Sequence, residues 1–168
     1  MFSPAWSTNL FSNRNASMPT KAVFTRTPRK VMMFDFLVDR FQAFISKLYP
    51  QVPIFVHIWF HAPHHPVIAS PKLAQDCMRG KICTTRHSRL TKEVDYYGVV
   101  HALDSAIGRL RRILRNEVRA SNTLFIVTSD NGALNANGDD AGSVAPFRGV
   151  KGSILEGGHR VIGLFEWP

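Results

Sequence analysis

The sequence predicts an α/β fold with a mainly parallel sheet flanked by helices. Three observations support this prediction: an apolar, β-branched run at 52–60, a second such run at 123–130, and a helical stripe of apolar residues between them. A third apolar run closes the chain at 160–168. Strand, helix and strand in this order form a right-handed crossover, which places the strands parallel in one sheet. The length of 168 residues and the 45% hydrophobic composition suffice for the core of one domain.

The first 30 residues differ in composition from the rest of the chain. They are rich in Ser and Thr and hold five of the 21 basic residues and none of the 12 acidic ones, so they carry +5 of the net charge of +9. They lack the apolar core of a secretory signal, and no stretch of the sequence is long enough to span a bilayer. We therefore expect a basic, disordered leader over 1–30 and one domain over 31–168.

The elements from residue 31 onward follow from hydrophobic periodicity. Apolar residues within 31–48 recur at helical spacing, and Pro50 helps to end that helix. The run at 52–60 predicts a short strand buried on both faces of a sheet. The next six residues, HAPHHP, form a loop because Pro63 and Pro66 deny the backbone both hydrogen-bond donors and helical geometry.

The second half of the chain begins with a less regular segment. Residues 70–91 show no clear period and predict an excursion over the surface, whereas 99–118 predicts an amphipathic helix. Neither segment interleaves its basic residues with aromatic ones, and no nucleic-acid-binding motif is present, so we expect solvated basic faces and no nucleic-acid partner. The basic residues of the 72–92 region are Lys72, Arg79, Lys81, Arg86, Arg89 and Lys92, and those on the predicted helix and directly after it are Arg109, Arg111, Arg112, Arg115 and Arg119.

Polar residues follow two of the predicted strands directly. Three loop histidines, His61, His64 and His65, come after the first strand, and Asp130 and Asn131 come after the second. The carboxyl ends of parallel strands lie at one edge of a sheet, so both clusters are expected there. Carboxylate and amide oxygens suit Ca²⁺ or Mg²⁺, although Asp-Asn-Gly is also a common turn. The histidines do not have a zinc-ligand spacing, and solvent exposure is the default for a loop histidine.

A glycine-rich segment near the end of the chain suggests an anion-binding loop. Its glycines surround Lys151, Glu156 and Arg160, so the backbone can approach a ligand closely while a cation faces it. The phosphate-binding pattern GxxxxGK[ST] is absent. The lysine favours a tetrahedral oxyanion as the ligand. The glycines are Gly149, Gly152, Gly157 and Gly158.

Four stretches in their order along the chain resemble the arylsulfatase family. They are HAPHHP, ALDSAIGRL, NTLFIVTSDNG and PFRGVKGSILEGGHRVIGLFEWP, and the resemblance covers about residues 31–168. The chain is similar in particular to the N-acetylgalactosamine-6-sulfatase-like branch of this family, within the alkaline-phosphatase-like superfamily. The resemblance implies a partial alkaline-phosphatase-like domain and, in the intact family, hydrolysis of sulfuric esters of carbohydrates or aryl alcohols.

The resemblance also implies roles for particular residues. Asp130 and Asn131 match two ligands of the family's Ca²⁺ ion, and Lys151 matches a lysine that contacts a sulfate oxygen. His64 matches a histidine that binds sulfate and helps to protonate the leaving alcohol. A divalent cation, an ammonium and an imidazole around one sulfuryl group agree with the physical chemistry of such a transfer. Glu156 and Arg160 are expected to shape the loop.

Several family features have no match in this sequence. The family has an Asp-Asp pair for the same Ca²⁺ ion and a CxPSR segment whose cysteine becomes the formylglycine nucleophile, and neither occurs here. The segment CTTRHSRLT at 83–91 lacks the proline and stands on the wrong side of HAPHHP, so its likeness to CxPSR is coincidental. Cys77 and Cys83 are too few for a disulfide framework. We therefore expect half of a metal site, no nucleophile and no hydrolysis by this chain alone.

Two other functions remain open at this point. The chain is either a sulfatase or its remnant, a non-catalytic binding or structural protein, or a phosphodiesterase or phosphonate hydrolase of the same superfamily. The expected partner is a sulfated small molecule or glycan. The family is usually secreted, periplasmic or lysosomal, but residues 1–30 do not resemble a clean signal peptide, and neither location nor oligomeric state follows from the sequence.

Overall fold

A computed structural model describes residues 7–8, 10–11, 23–24, 33–49, 52–83, 91–117, 120–134 and 141–167. Most of the predicted leader over 1–30 lies outside these residues. Within the described ranges, three short strands precede the first helix, and a mixture of helices and strands follows. The elements are β1 (Ser7–Thr8), β2 (Leu10–Phe11), β3 (Val23–Phe24), α1 (Met33–Ile45), β4 (Phe55–Val56), α2 (Pro71–Met78), α3 (Thr91–Asn116), a 3₁₀ turn (Ala120–Asn122), β5 (Phe125–Thr128), α4 (Glu156–His159) and β6 (Gly163–Glu166).

The chain divides into two compact units. The first unit comprises residues 1–61 and 103–118, and the second comprises 62–102 and 119–168. Helix α3 contributes its first part to the second unit and its last part to the first. All four predicted site residues belong to the second unit.

In the first unit, α1 forms as its apolar spacing predicts. Phe34, Val38, Phe41 and Ile45 are buried and recur at intervals of three or four residues, which places them on one face of the helix. On the neighbouring face, Arg109 of α3 forms ion pairs of 2.6 and 2.7 Å with two α1 carboxylates one turn apart, those of Asp35 and Asp39. The predicted helix over 31–48 is confirmed.

In the second unit, residues 71–78 form a helix that the sequence analysis did not predict. Ser70 caps α2, because its hydroxyl accepts a hydrogen bond from the Leu73 amide at 3.4 Å, and Pro71 occupies the first helical position. The Ala69 amide donates to Asp95 Oδ1 on α3 at 2.9 Å. The prediction of an irregular excursion over 70–91 is therefore wrong for this part, because Ser70 and Pro71 start a helix of eight residues, which is too short to show a clear apolar period.

The strand pairs of the described residues are antiparallel, unlike the predicted sheet. β1 pairs with β3, β2 with β4, and β5 with β6. The longest ladder sets Phe125 opposite Glu166 and Thr128 opposite Gly163. Parallel neighbours need a long crossover, usually a helix across the sheet, and the described part of the β5–β6 connection contains only the four-residue α4. The predicted helices and strands are present, but these strand directions are not the predicted ones.

The strands also differ from prediction in their burial. The run at 52–60 was expected to be buried on both faces of a sheet, yet exposed residues alternate with half-buried ones along it, and the same alternation occurs over 123–128. Ile126 and Phe165 lie opposite each other in the ladder and are 50% and 71% exposed. Leu124 and Trp167 continue the same face by alternation and are also exposed. We call these four residues the ladder face; burying them requires contacts beyond those that the described residues make.

The ladder face is expected to promote association of the isolated chain. Ile126→Thr combined with Phe165→Thr removes exposed apolar area without adding charge and keeps residues suited to strands. We expect this variant to reach a several-fold higher soluble concentration at an unchanged melting temperature, as measured by light scattering and calorimetry. The control is Ile68→Thr with Ile154→Thr, at positions 71% and 94% exposed outside this face. An equal gain in the control would show that the ladder face has no special role.

No helix of the described residues combines the length and the apolar character that crossing a membrane requires.

Candidate functional site

The candidate site begins where β5 ends. After Thr128 the chain turns. Ser129 Oγ donates to the Asn131 carbonyl at 3.0 Å within this turn. Thr128 Oγ1 donates to the carbonyl of Ile162, the residue before β6, at 3.0 Å. Asp130 is exposed and Asn131 is half-buried. The strand end and these two bonds hold the carboxylate and the amide next to each other at the surface.

Backbone hydrogen bonds join this turn to the glycine-rich loop. The Lys151 amide donates to the Ala133 carbonyl at 3.0 Å, and the Gly132 amide donates to the Gly158 carbonyl at 3.0 Å. Within the loop, the Gly157 amide donates to the Arg148 carbonyl at 2.8 Å. The segment that carries Lys151 therefore lies beside the segment that carries Asp130 and Asn131.

Two glycines make this close approach possible. A Cβ on Gly132 would overlap the carbonyl oxygen of Gly157, and a Cβ on Gly157 would overlap that of Gly149 and lie 2.8 Å from that of Arg148. Because the obstacles are backbone atoms rather than flexible side-chain ends, no rotamer change relieves them. Gly157, one of the glycines predicted to let the backbone approach a ligand, thus lets two segments of the glycine-rich loop approach each other, and Gly132 lets the turn after β5 approach that loop.

The side chains of Glu156 and Arg160 contact residues of the glycine-rich loop and its flanks. Arg160 Nη1 lies 3.2 Å from both carboxylate oxygens of Glu156, one helical turn away. The Arg160 guanidinium also lies over the Phe147 ring, 4.6 Å from its centroid. These contacts connect the start of the glycine-rich loop to its end, in agreement with the loop-shaping role expected from the sequence.

Tyr96 of α3 is a site neighbour that the sequence analysis missed. A Cβ built on Gly142 would lie 3.3 Å from Ala133 Cβ and 3.4 Å from the Tyr96 hydroxyl, so these three residues meet. Burial raises the pKa of Tyr96, and the nearby Tyr97 raises it further. The first part of α3 therefore contacts the loop after β5 and, through Asp95, the segment after HAPHHP. Tyr96 precedes the apolar stripe that begins at Val99, so hydrophobic periodicity did not predict that it lies on this helix.

His64 lies in the exposed loop after β4. Its Nδ1 is 2.9 Å from the carbonyl oxygen of His65, which makes this ring nitrogen the donor. Five residues later, Ala69 is anchored to α3. The described contacts join the Asp130–Asn131 turn to Lys151; the convergence of His64 on the same site stays a prediction.

The oxygen atoms at the end of β5 are of the kind that a hard cation such as Ca²⁺ prefers. Asp130 offers carboxylate oxygens and Asn131 an amide oxygen, whereas Ca²⁺ takes six to eight oxygen ligands. Within the described residues, no group of three or more His, Cys, Asp or Glu side chains is placed to hold a metal ion. These two residues fit part of a Ca²⁺ coordination shell, and further ligands must come from water or other groups.

Cys83 is bound in a disulfide with Cys77 and is 6% exposed. A cysteine in a buried disulfide is not available as a nucleophile or its precursor. This finding supports the interpretation that CTTRHSRLT resembles CxPSR only by coincidence; residues 84–90 of that segment lie outside the described part.

The structure is thus an α/β fold in which a carboxylate and an amide at a strand end lie beside the glycine-rich loop that carries Lys151. The Sulfatase family profile matches residues 6–165. The chain therefore belongs to the sulfatase family. The predicted α/β class and the arylsulfatase resemblance are both confirmed.

Two relatives of this chain are much longer than the region that they share with it. The chain is 32% identical to N-acetylgalactosamine-6-sulfatase of Homo sapiens over 126 residues, which cover 74% of this chain and 22% of that protein. It is 31% identical to a sulfatase of Formosa agariphila over 69% of this chain and 21% of that protein. Thus the chain spans about a fifth of the length of these relatives.

A solved structure supports the same assignment. The chain superposes on Ps i-CgsB in complex with k-i-k-neocarrahexaose with a TM-score of 0.72 and 26% sequence identity. The superposition covers 90% of this chain and 31% of that chain. A second structure of Ps i-CgsB gives a TM-score of 0.69 at 25% identity.

Proposed function

We propose that this chain forms the part of a sulfatase active site that binds the sulfate group of a sulfuric ester. Asp130 and Asn131 provide Ca²⁺ ligands, Lys151 binds a sulfate oxygen, and His64 binds sulfate and assists the leaving alcohol. The observation that carries the proposal is the hydrogen bond between the Lys151 amide and the Ala133 carbonyl, which sets the lysine segment beside the Asp-Asn turn. Family membership gives the reaction class.

Each residue has a chemical task in this proposal. A bound Ca²⁺ ion would supply positive charge that stabilises a sulfuryl group. The Lys151 ammonium attracts the sulfate oxygens as a compact point charge on a flexible stem. The His64 imidazole, with Nδ1 held toward the His65 carbonyl, presents Nε2 to the leaving oxygen and in its protonated form donates a proton there.

We propose further that the chain alone binds sulfuric esters without turning them over. Ester cleavage through a covalent intermediate needs an activated nucleophile. No CxPSR segment occurs in the 168 residues, and both cysteines are in the disulfide. The family's formylglycine therefore has no precursor within this sequence.

The substrate class we favour is a sulfated carbohydrate. The support is the similarity to N-acetylgalactosamine-6-sulfatase, and to Ps i-CgsB in complex with the oligosaccharide k-i-k-neocarrahexaose. The proposed contacts of the site are made to the sulfate group, which sugar sulfates and aryl sulfates share. An aryl sulfate is therefore a suitable first probe.

Lys151→Met tests the proposed sulfate contact. Loss of a charged hydrogen bond to the sulfate is expected to weaken binding of p-nitrophenyl sulfate, in the presence of Ca²⁺, by about tenfold or more. Calorimetric titration measures the affinity, and release of p-nitrophenol is expected to stay at the level of the blank. Lys72→Met is the control, because Lys72 is an exposed lysine on α2. Equal binding by the wild type and Lys151→Met would contradict the proposed role.

A further inference from the structure

The backbone after α2 brings the two cysteines of this chain together. α2 ends at Met78, and Gly80 takes a left-handed conformation with φ of 70°. The Gly80 amide donates to the Cys77 carbonyl at 2.9 Å, and the Lys81 amide donates to the Asp76 carbonyl at 3.0 Å. This pair of bonds is the Schellman motif, which turns the chain back on the helix end. The Cα atoms of Cys77 and Cys83 are then 4.8 Å apart, within the range for a disulfide.

The disulfide lies in a small apolar cluster of the second unit. Cys77 is 1% exposed and Cys83 6%, and they pack with Val94 of α3. Ala74 and Ile82 pack against the same cluster. An ion pair of 3.1 Å between Lys81 and Asp76 also closes the turn. The covalent bond therefore fixes the end of α2 where it contacts α3.

A second contact joins the same two segments at the other end of α2. The Ala69 amide donates to Asp95, which neighbours Val94, and a Cβ on Gly98 would lie 2.8 Å from Ala69 Cβ. α2 is thus held against α3 at its start by Ala69 and at its end by the disulfide cluster. The HAPHHP loop leads directly into this pair of helices, so the pair supports the loop that carries His64.

We propose that Cys77 and Cys83 form a redox-dependent brace that locks α2 onto α3. The bond forms by thiol–disulfide exchange with a small disulfide such as oxidised glutathione: one thiolate attacks it and releases one glutathione thiolate, and the second protein thiolate then displaces the other. Two protein thiols are oxidised, one glutathione disulfide is reduced, and the two protons lost by the protein thiols pass through solvent to the two glutathione thiolates, which become thiols. The chain reaches full stability only under oxidising conditions. This inference goes beyond the proposed function and does not depend on it.

Thiol labelling and calorimetry on the full chain test the brace. After equilibration with oxidised glutathione and unfolding, we expect iodoacetamide to label neither cysteine, and to label both after reduction. Reduction is expected to lower the melting temperature by about 5 to 10 °C. The variant Cys77→Ala/Cys83→Ala is the control, and its melting temperature should not respond to reductant. Two labelled cysteines after oxidation, or an equal response in the variant, would overturn the proposal.

Hydrogen exchange on the wild type locates the effect without any substitution. Reduction is expected to speed exchange in residues 71–83 and in the first turns of α3, and to leave the β5–β6 ladder unchanged. If exchange in 71–83 is the same in the oxidised and reduced chains, the disulfide does not act as a brace.

Discussion

Gly157→Ala is expected to weaken binding of a sulfuric ester by more than tenfold and to lower the free energy of unfolding by about 2 to 3 kcal/mol. The reason is that the new methyl group would overlap the Gly149 carbonyl and crowd the Arg148 carbonyl. The glycine-rich loop must then move away from the turn after β5, and Lys151 moves with it. Calorimetric titration with p-nitrophenyl sulfate in the presence of Ca²⁺ measures the ester affinity. Denaturant unfolding measures the free energy of unfolding.

Gly108→Ala is the matched control for this substitution. Gly108 lies within α3, and a Cβ there meets nothing within 4 Å. Removing a helical glycine is expected to stabilise the chain by about 0.5 to 1 kcal/mol without changing ester affinity. If Gly157→Ala bound the ester as tightly as the wild type, the tie between the two loops would be irrelevant to binding.

Asp130→Ala is expected to abolish Ca²⁺ binding. We expect the wild-type chain to bind Ca²⁺ with a dissociation constant of about a millimolar, because few of the oxygen ligands come from described residues. Removing the only carboxylate of the Asp-Asn pair leaves an amide oxygen, which is too weak a ligand alone. Since Asp130 is exposed, the melting temperature should change little, so the loss is separable from unfolding. Calorimetric titration with CaCl₂ measures the binding.

Asp104→Ala is the control for non-specific attraction of the cation. Asp104 is an exposed carboxylate on α3, outside the turn after β5. The control is expected to retain the wild-type affinity for Ca²⁺. An equal loss in both variants, or full retention in Asp130→Ala, would contradict the assignment of the metal ligands.

The sequence predicted elements whose signals are local. The helical spacing of apolar residues in α1 and the continuous apolar run before Asp130 are each contained in a short stretch of sequence, so both elements were identified. The four stretches in their order along the chain, two of which contain Asp130 and Lys151, also identified the family, which the Sulfatase profile confirms. The proximity of Lys151 to Asp130 was expected from the resemblance, which places both around one sulfuryl group, but the hydrogen bond that joins their segments was not predicted.

Other features depend on contacts that periodicity does not contain. Whether Ile126 and Phe165 are buried depends on whether another element packs on the ladder face. Their apolar character alone therefore predicted burial wrongly. Strand direction depends on which strand is the neighbour, and β6 returns beside β5. The disulfide depends on the left-handed turn at Gly80, which brings Cys83 back to Cys77. The short α2 had a start signal in Ser70 and Pro71 but too few turns for a clear period.

The most direct test of the central claim is calorimetric titration of the wild-type chain with p-nitrophenyl sulfate, with and without saturating Ca²⁺. If the Asp130–Asn131 turn and Lys151 serve one site, Ca²⁺ and the ester must strengthen each other's binding, and by linkage the factor is the same in both directions. We predict that Ca²⁺ tightens ester binding by about fivefold or more, and that Asp130→Ala removes this gain. Ester affinity that is identical with and without bound Ca²⁺ would contradict the claim that these residues form one site.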